Sequence, residues 1–257
     1  MKNKELKEVY NEMHTEGQKA WFGDGKEEAN VILNMGHTWD KENILEIGCG
    51  EGWLASTIRF INPAGIVWAV DYSEVAIQTA VERYKTLDRL HFGVKNYREL
   101  IDGIKYDRIV MQGVLEHLDE PFTELQWMID NLLVPEGDII TSSPSFLNPR
   151  GFIWMVLDML GAVMSKTDLH YLNPWDFEKF CKKQDYQLTN RPTDFDWGAG
   201  VRMVDDLFKR LPLALRDGEI PYNKKDFEKF IRWLRRASEY IQPEQYPGAT
   251  TVYRIQT

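Results

Sequence analysis

A cluster of glycines between an apolar run and a helical pattern is the first place in this chain where chemistry could be done. Ile44-Leu45-Glu46-Ile47 leads into Gly48-Cys49-Gly50-Glu51-Gly52, and the helical pattern starts at Trp53. Glycine at such a strand-to-helix turn adopts conformations other residues avoid and lets a ligand lie against bare backbone. Asp71 closes the next apolar run, Ile66 to Val70. A carboxylate at a strand end can accept both hydroxyl protons of a ribose, although an aspartate just before Ser73 could equally serve a turn or helix cap. The glycine spacing is G-x-G-x-G. A dinucleotide fingerprint would put its third glycine at the position held by Trp53, which disfavours a nicotinamide oxidoreductase.

Two histidines follow. His117 comes directly after a fourth apolar run, where an imidazole could take a proton near neutral pH; the alternative is a structural histidine before the helix opened by Asp119. His170, in His170-Tyr171-Leu172-Asn173-Pro174, has the same pair of readings. Cys49 and Cys181 are too few for a disulfide framework or a four-cysteine zinc site, and nothing basic beside Cys49 would make it a nucleophile.

The elements that must position these groups can be read from periodicity. Short β runs fall at Asn43 to Gly48, Ile66 to Val70, Leu90 to Val94, Tyr106 to Gln112 and Asp138 to Ser142. Between them lie helices from Trp53 to Ile61, from Ser73 as N-cap to about Thr86, and from Pro121 with Phe122, Leu125, Met128, Ile129 and Leu132 on one face. Pro135-Glu136-Gly137 is expected to turn into the fifth strand. This alternation specifies a mainly parallel sheet covered on both faces. Residues 1–40 read as a helical cap interrupted at Gly23-Asp24-Gly25, and 41–257 as one α/β domain. Its later part has helical patterns at Phe152 to Met164, Pro174 to Lys183, Val201 to Leu215 and Lys224 to Ile241, and β patterns at Tyr186 to Asn190 and Thr250 to Gln256. Residues 200–241 thus read as a helical insertion before the last strand.

Residues 41–190 resemble the class I S-adenosylmethionine-dependent methyltransferases. Three further segments carry the resemblance: Val70-Asp71-Tyr72-Ser73, Gly93-Val94-Lys95-Asn96-Tyr97, and Tyr106 through Leu118, the last similar to the subgroup of ubiquinone-pathway O-methyltransferases. The resemblance implies a Rossmann-like doubly wound sheet with an antiparallel last strand, S-adenosyl-L-methionine as cofactor and S-adenosyl-L-homocysteine as product. Glu46, Gly48, Cys49, Gly50 and Gly52 would surround the methionine part. Asp71 would hold the ribose, Tyr72 would pack near adenine, Asn96 and Tyr97 would line the adenine edge, and Gln112 and Val114 would border the reactive end. His117 and His170 become the candidate catalytic bases. The subgroup carries Glu-x-x-Glu-His, but Gly113 replaces the first glutamate here, so no required metal is expected.

Composition narrows the acceptor. Lys plus Arg is 31 and Asp plus Glu is 40, a net charge of −9 that argues against a nucleic-acid partner. The first residues are charged throughout and no run spans a bilayer, so a soluble cytoplasmic protein is expected. Residues 146–175, with Phe152, Trp154, Met155, Met159, Tyr171 and Trp175, are expected to cover the reactive end with apolar walls. Phe152 to Met164 could instead touch a membrane surface, but the helix lacks a Lys/Arg-rich polar face, and ordinary packing is the plainer account; it is also the plainer account for Tyr10, Trp21 and Phe22, whose alternative is to fold over the cofactor. Lys224, Lys225, Arg232, Arg235 and Arg236 read as a solvated helix face or an anion site. The expected activity is methylation of a hydroxyl on a small molecule or glycan. The alternatives are an N-methyltransferase of a small molecule or sugar, or a cofactor-binding interaction module without turnover; a homodimer stays open.

Overall fold

The computed structural model describes residues 25–41, 43–100, 103–161, 168–193, 200–240 and 248–257. Tyr10, Trp21, Phe22 and the end of the predicted helix Phe152 to Met164 lie outside them. Seven strands make one sheet in the order β3-β2-β1-β4-β5-β7-β6. These are β1 (Asn43–Ile47), β2 (Ile66–Asp71), β3 (Leu90–Val94), β4 (Tyr106–Gln112), β5 (Leu133–Pro144), β6 (Gln187–Pro192) and β7 (Thr250–Gln256). β1 to β5 are mutually parallel, while β7 runs antiparallel to both its neighbours, β5 and β6. This is the Rossmann-like arrangement with a reversed last strand.

Eight helices are described: α1 (Lys26–Met35), α2 (Trp53–Ile61), α3 (Glu74–Tyr84), α4 (Pro121–Leu132), α5 (Pro149–Met159), α6 (Pro174–Gln184), α7 (Gly200–Asp217) and α8 (Lys224–Ser238). Two apolar layers sandwich the sheet. One gathers Leu45, Ile109, Met128, Leu132, Phe177 and Tyr253; the other gathers Ile32, Ile44, Leu54, Ile58, Val67 and Val110. A third cluster joins α5, α7 and α8 through Trp154, Met203, Leu207, Leu211, Ile231 and Leu234. α3 starts where Ser73 Oγ accepts the Ala76 N–H at 3.2 Å, and the prolines heading α4, α5 and α6 occupy first-turn positions that need no donor.

The predicted turn at Pro135 is not where β5 begins. β5 starts at Leu133, directly after α4, and Leu133 pairs with Tyr106 whereas Asp138 pairs with Arg108. The surplus residues form an irregularity inside the strand, with Glu136 at φ 61°.

At the amino-terminal ends of β4 and β5 sits a buried ion cluster that sequence reading missed. Arg108 is fully buried and donates from Nε and Nη2 to the two oxygens of Asp138, each at 2.6 Å; Arg254 Nε adds a bond of 2.8 Å. Burial alone would raise the Asp138 carboxyl, but hydrogen bonds and charge from Arg108, then Arg254, hold it below its ordinary value. A carboxylate with a lowered folded-state pKa stabilises the fold above its unfolded-state pKa, and that stability is lost as pH falls through the folded value. Asp138→Ala leaves two guanidinium groups without their carboxylate and is expected to destabilise the fold by about 3–5 kcal/mol. Urea unfolding at neutral pH measures this, and the gap to the parent protein should narrow in acid.

Candidate functional site

The carboxyl ends of β1, β2 and β4 open into a cleft. Strand ends on this side of a parallel sheet are where ligands bind in doubly wound folds. Its walls are Ile47, Gly48 and Gly50 from the first strand and turn, Val70, Asp71 and Tyr72 from the second, Lys95 and Tyr97 beyond the third, and Gln112 to Val114 with His117 and Leu118 beyond the fourth.

The turn after β1 is shaped by its glycines. Gly48 has φ 74°, and a Cβ there would stand 2.6 Å from Val114 Cγ2, inside any allowed contact. The backbone therefore approaches the cleft as only glycine permits. Asp71 braces this turn from across the sheet: Oδ2 accepts the Gly50 N–H and Oδ1 accepts the Ser73 N–H, both at 2.8 Å. Each carboxylate oxygen has a second lone pair, so the group can serve two ligand hydroxyls while holding the loop.

Glu46 lies beneath the turn, 2 % exposed, and its Oε2 has no hydrogen-bond partner among the described residues. Burial pushes its carboxyl up to about 8; the Ala55 backbone amide opposes this and the charge of Asp71 adds to it. A carboxyl whose folded-state value lies above its unfolded value keeps its share of stability in acid and loses it as pH rises between the two. Glu46→Gln is therefore expected to match the parent protein's melting temperature near pH 4 and to exceed it by a few degrees above pH 8, read by thermal unfolding without ligand. A cation brought beside Glu46 would relieve the same penalty. The bare Gly48 backbone and the Asp71 carboxylate on the cleft wall fit S-adenosylmethionine.

The fourth strand supplies the other wall. Gln112 Nε2 donates to Gly25 O at 2.8 Å and lies 3.3 Å from Glu28 Oε2, which ties α1 to the cleft. Gly113 at φ 64° then bends the chain into a short 3-10 turn, Leu115–His117, anchored by buried Leu115 and Leu118. That turn carries His117 to the cleft wall, where Nδ1 lies 3.3 Å from Asp168 Oδ1. Beside it, the Glu116 backbone carbonyl receives the N–H groups of Leu169 and His170.

Four residues expected around the cofactor do not line the cleft. Cys49 faces the core, with burial first and then Glu46 and Asp71 raising its thiol well above its usual value. Gly52 caps α2, and a Cβ on it would meet Phe92 and Ala80. Asn96 is not among the residues that line the cleft; its Oδ1 accepts the Arg98 N–H at 2.9 Å and caps the turn Tyr97–Glu99. Glu46 sits behind the glycine turn. His170 does not line the cleft either: Nε2 is 3.0 Å from Asp119 O, which fastens the 168–173 segment to the entry of α4. Sequence reasoning missed Lys95, Leu118 and Asp168. Lys95 was visible one residue past a strand end, whereas Asp168 stands in a segment with no pattern.

Among the described residues, no group of three or more histidine, cysteine or acidic side chains is gathered to hold a metal ion, and no helix is long and apolar enough to cross a membrane.

The family pattern described as "Methyltransferase domain" matches residues 45–139, which contain the end of β1, all of β2 to β4 and the residues that wall the cleft. Over that segment the chain is similar to methyltransferase domains. The malonyl-[acyl-carrier protein] O-methyltransferase of Halalkalibacterium halodurans is 27% identical to the chain over 143 residues, 53% of this chain and 52% of that protein. The mitochondrial ubiquinone biosynthesis O-methyltransferase of Dictyostelium discoideum is 21% identical over 168 residues, 58% of this chain and 50% of that protein. The chain thus spans about half the length of these curated relatives. The solved DhpI–SAM–HEP complex shares the methyltransferase fold with a TM-score of 0.60 at 13% identity, covering 97% of this chain and 94% of that one. Together these findings support S-adenosylmethionine as the ligand of the cleft.

Proposed function

We propose that the protein methylates a hydroxyl group of a small molecule or glycan, with S-adenosyl-L-methionine as donor and S-adenosyl-L-homocysteine as product. His117 on the cleft wall, with Nδ1 against Asp168, is the observation that carries the choice of a hydroxyl. When bound, the cofactor supplies an activated methyl group, so the protein's work is orientation and proton removal. Asp71 binds the ribose, and the Gly48 and Gly50 backbone gives the sulfur-bearing arm its path. Gln112, Gly113 and Val114 border the reactive end. A neutral hydroxyl oxygen is a weak nucleophile, and His117 accepts its proton as the bond to carbon forms. Asp168 holds the Nδ1 proton and steadies the ring, so it acts as a positioning residue. An amine acceptor, which needs only to be uncharged, is the second reading, and O-methylation in the ubiquinone-type subgroup is the first.

Transfer of labelled methyl from the cofactor to a panel of hydroxyl and amine acceptors tests the choice. Labelling of hydroxyl compounds is expected, and labelling confined to amines would remove it. Asp168→Asn should lower kcat by at least about tenfold while the KM for the cofactor stays put, with partial recovery in Asp168→Glu. Equal loss in both variants would assign Asp168 to the fold alone.

A further inference from the structure

α5 carries its apolar residues on the wrong side. Phe152, Met155, Val156, Met159 and Leu160 follow the i, i+3, i+4, i+7, i+8 spacing that normally faces a core, yet they are 61, 42, 53, 76 and 57 % exposed. The opposite face of the same helix is already buried through Trp154. Phe152, Ile153, Val156 and Leu157 also form one wall of an apolar groove, and Leu211 of α7 and Phe230 of α8 form the other.

α8 determines what could cover this surface. Its 15 residues hold Lys224, Lys225, Lys229, Arg232, Arg235 and Arg236 against Asp226 and Glu228, in a chain whose net charge is −9. Around the helix, Phe227, Ile231 and Leu234 face the third apolar cluster, Phe230 faces the groove, and Trp233 and Tyr240 follow, 63 and 70 % exposed. Beyond them, Lys225, Lys229, Arg232 and Arg236 recur at i, i+4, i+7 and i+11 as an exposed cationic stripe, whose last member also pairs with Glu239. Arg235 turns to the other side and pairs with Asp205 at 2.6 Å. Apolar residues, then tryptophan and tyrosine, then lysine and arginine is the order in which side chains meet the interior, boundary and headgroups of an anionic bilayer.

From this we infer that α5 and α8 together form a peripheral docking surface for an anionic lipid bilayer, with the α5 stripe and the groove entering the acyl boundary and the α8 cations on the headgroups. The chain would lie on the membrane without crossing it. A second copy docked through the same face on a two-fold axis would set the two cationic stripes against each other.

Sedimentation with phosphatidylcholine vesicles, with and without phosphatidylglycerol, tests the surface independently of methyl transfer. Binding is expected only to the anionic vesicles and should weaken with salt. Phe152→Ser/Met159→Ser and Lys229→Glu/Arg232→Glu should each reduce the bound fraction at least about fivefold, with unchanged melting temperatures because all four residues are exposed. No binding to anionic vesicles, or binding that both double variants retain, overturns the inference. So does a concentration-dependent dimer that Phe152→Ser/Met159→Ser dissolves, which would hand the face to a second copy. A fall in melting temperature without vesicle binding would hand it to packing within the chain.

Discussion

Asp71→Ala should weaken S-adenosylmethionine and S-adenosylhomocysteine alike by about 100-fold or more in calorimetric titration. Two losses combine. The ribose hydroxyls lose a charged acceptor, and a hydrogen bond to a charged group contributes about 1.5–3 kcal/mol. The amides of Gly50 and Ser73 lose the oxygens they meet at 2.8 Å, so the glycine turn is no longer braced. Asp71→Asn separates these effects, because its amide oxygen can still receive one amide but carries no charge. It should fall between alanine and the parent protein. Equal weakening of substrate and product forms is part of the expectation, since the role proposed for Asp71 is at the ribose that both forms share. Affinities within about threefold of the parent protein would place the nucleoside elsewhere and undo the assignment of the cleft.

His117→Ala is expected to cut kcat by about 10²–10⁴, the usual range for removing a positioned acid or base. Cofactor affinity should change less than about twofold, because the imidazole stands on the cleft wall beyond β4 while Asp71 and Tyr72 are the residues proposed to hold the nucleoside. That split distinguishes proton removal from damage to the site. A variant that turns over a hydroxyl acceptor at the parent rate would show that alignment alone suffices.

The sheet and its ligand crevice were legible because both depend on local pattern. Apolar runs with glycine or aspartate at their ends mark strands and the turns that follow them, and Gly48, Asp71 and Gln112 reach the cleft as their strand positions require. The exceptions share a cause. Asn96 and Gly52 occupy the predicted stretch of chain, but their atoms are spent on a cap and on close packing against Phe92, choices that only the folded neighbourhood dictates. Asp168 could not be found from sequence because its meaning is its meeting with a histidine 51 residues earlier. Arg108 and Asp138 were equally hidden: opposite charges on two apolar strands look like flaws in the pattern until parallel pairing sets them side by side.

That buried trio has a bearing on how the protein can be altered. Arg108 and Gln112 belong to the same short strand, the first tied into the ion cluster at one end and the second on the cleft wall at the other. Robustness and chemistry are thus assigned to opposite rims of one sheet. Segments grafted after β4 and β5 to recognise new acceptors would leave the far rim intact, so the scaffold should accept changes of specificity with little loss of foldability.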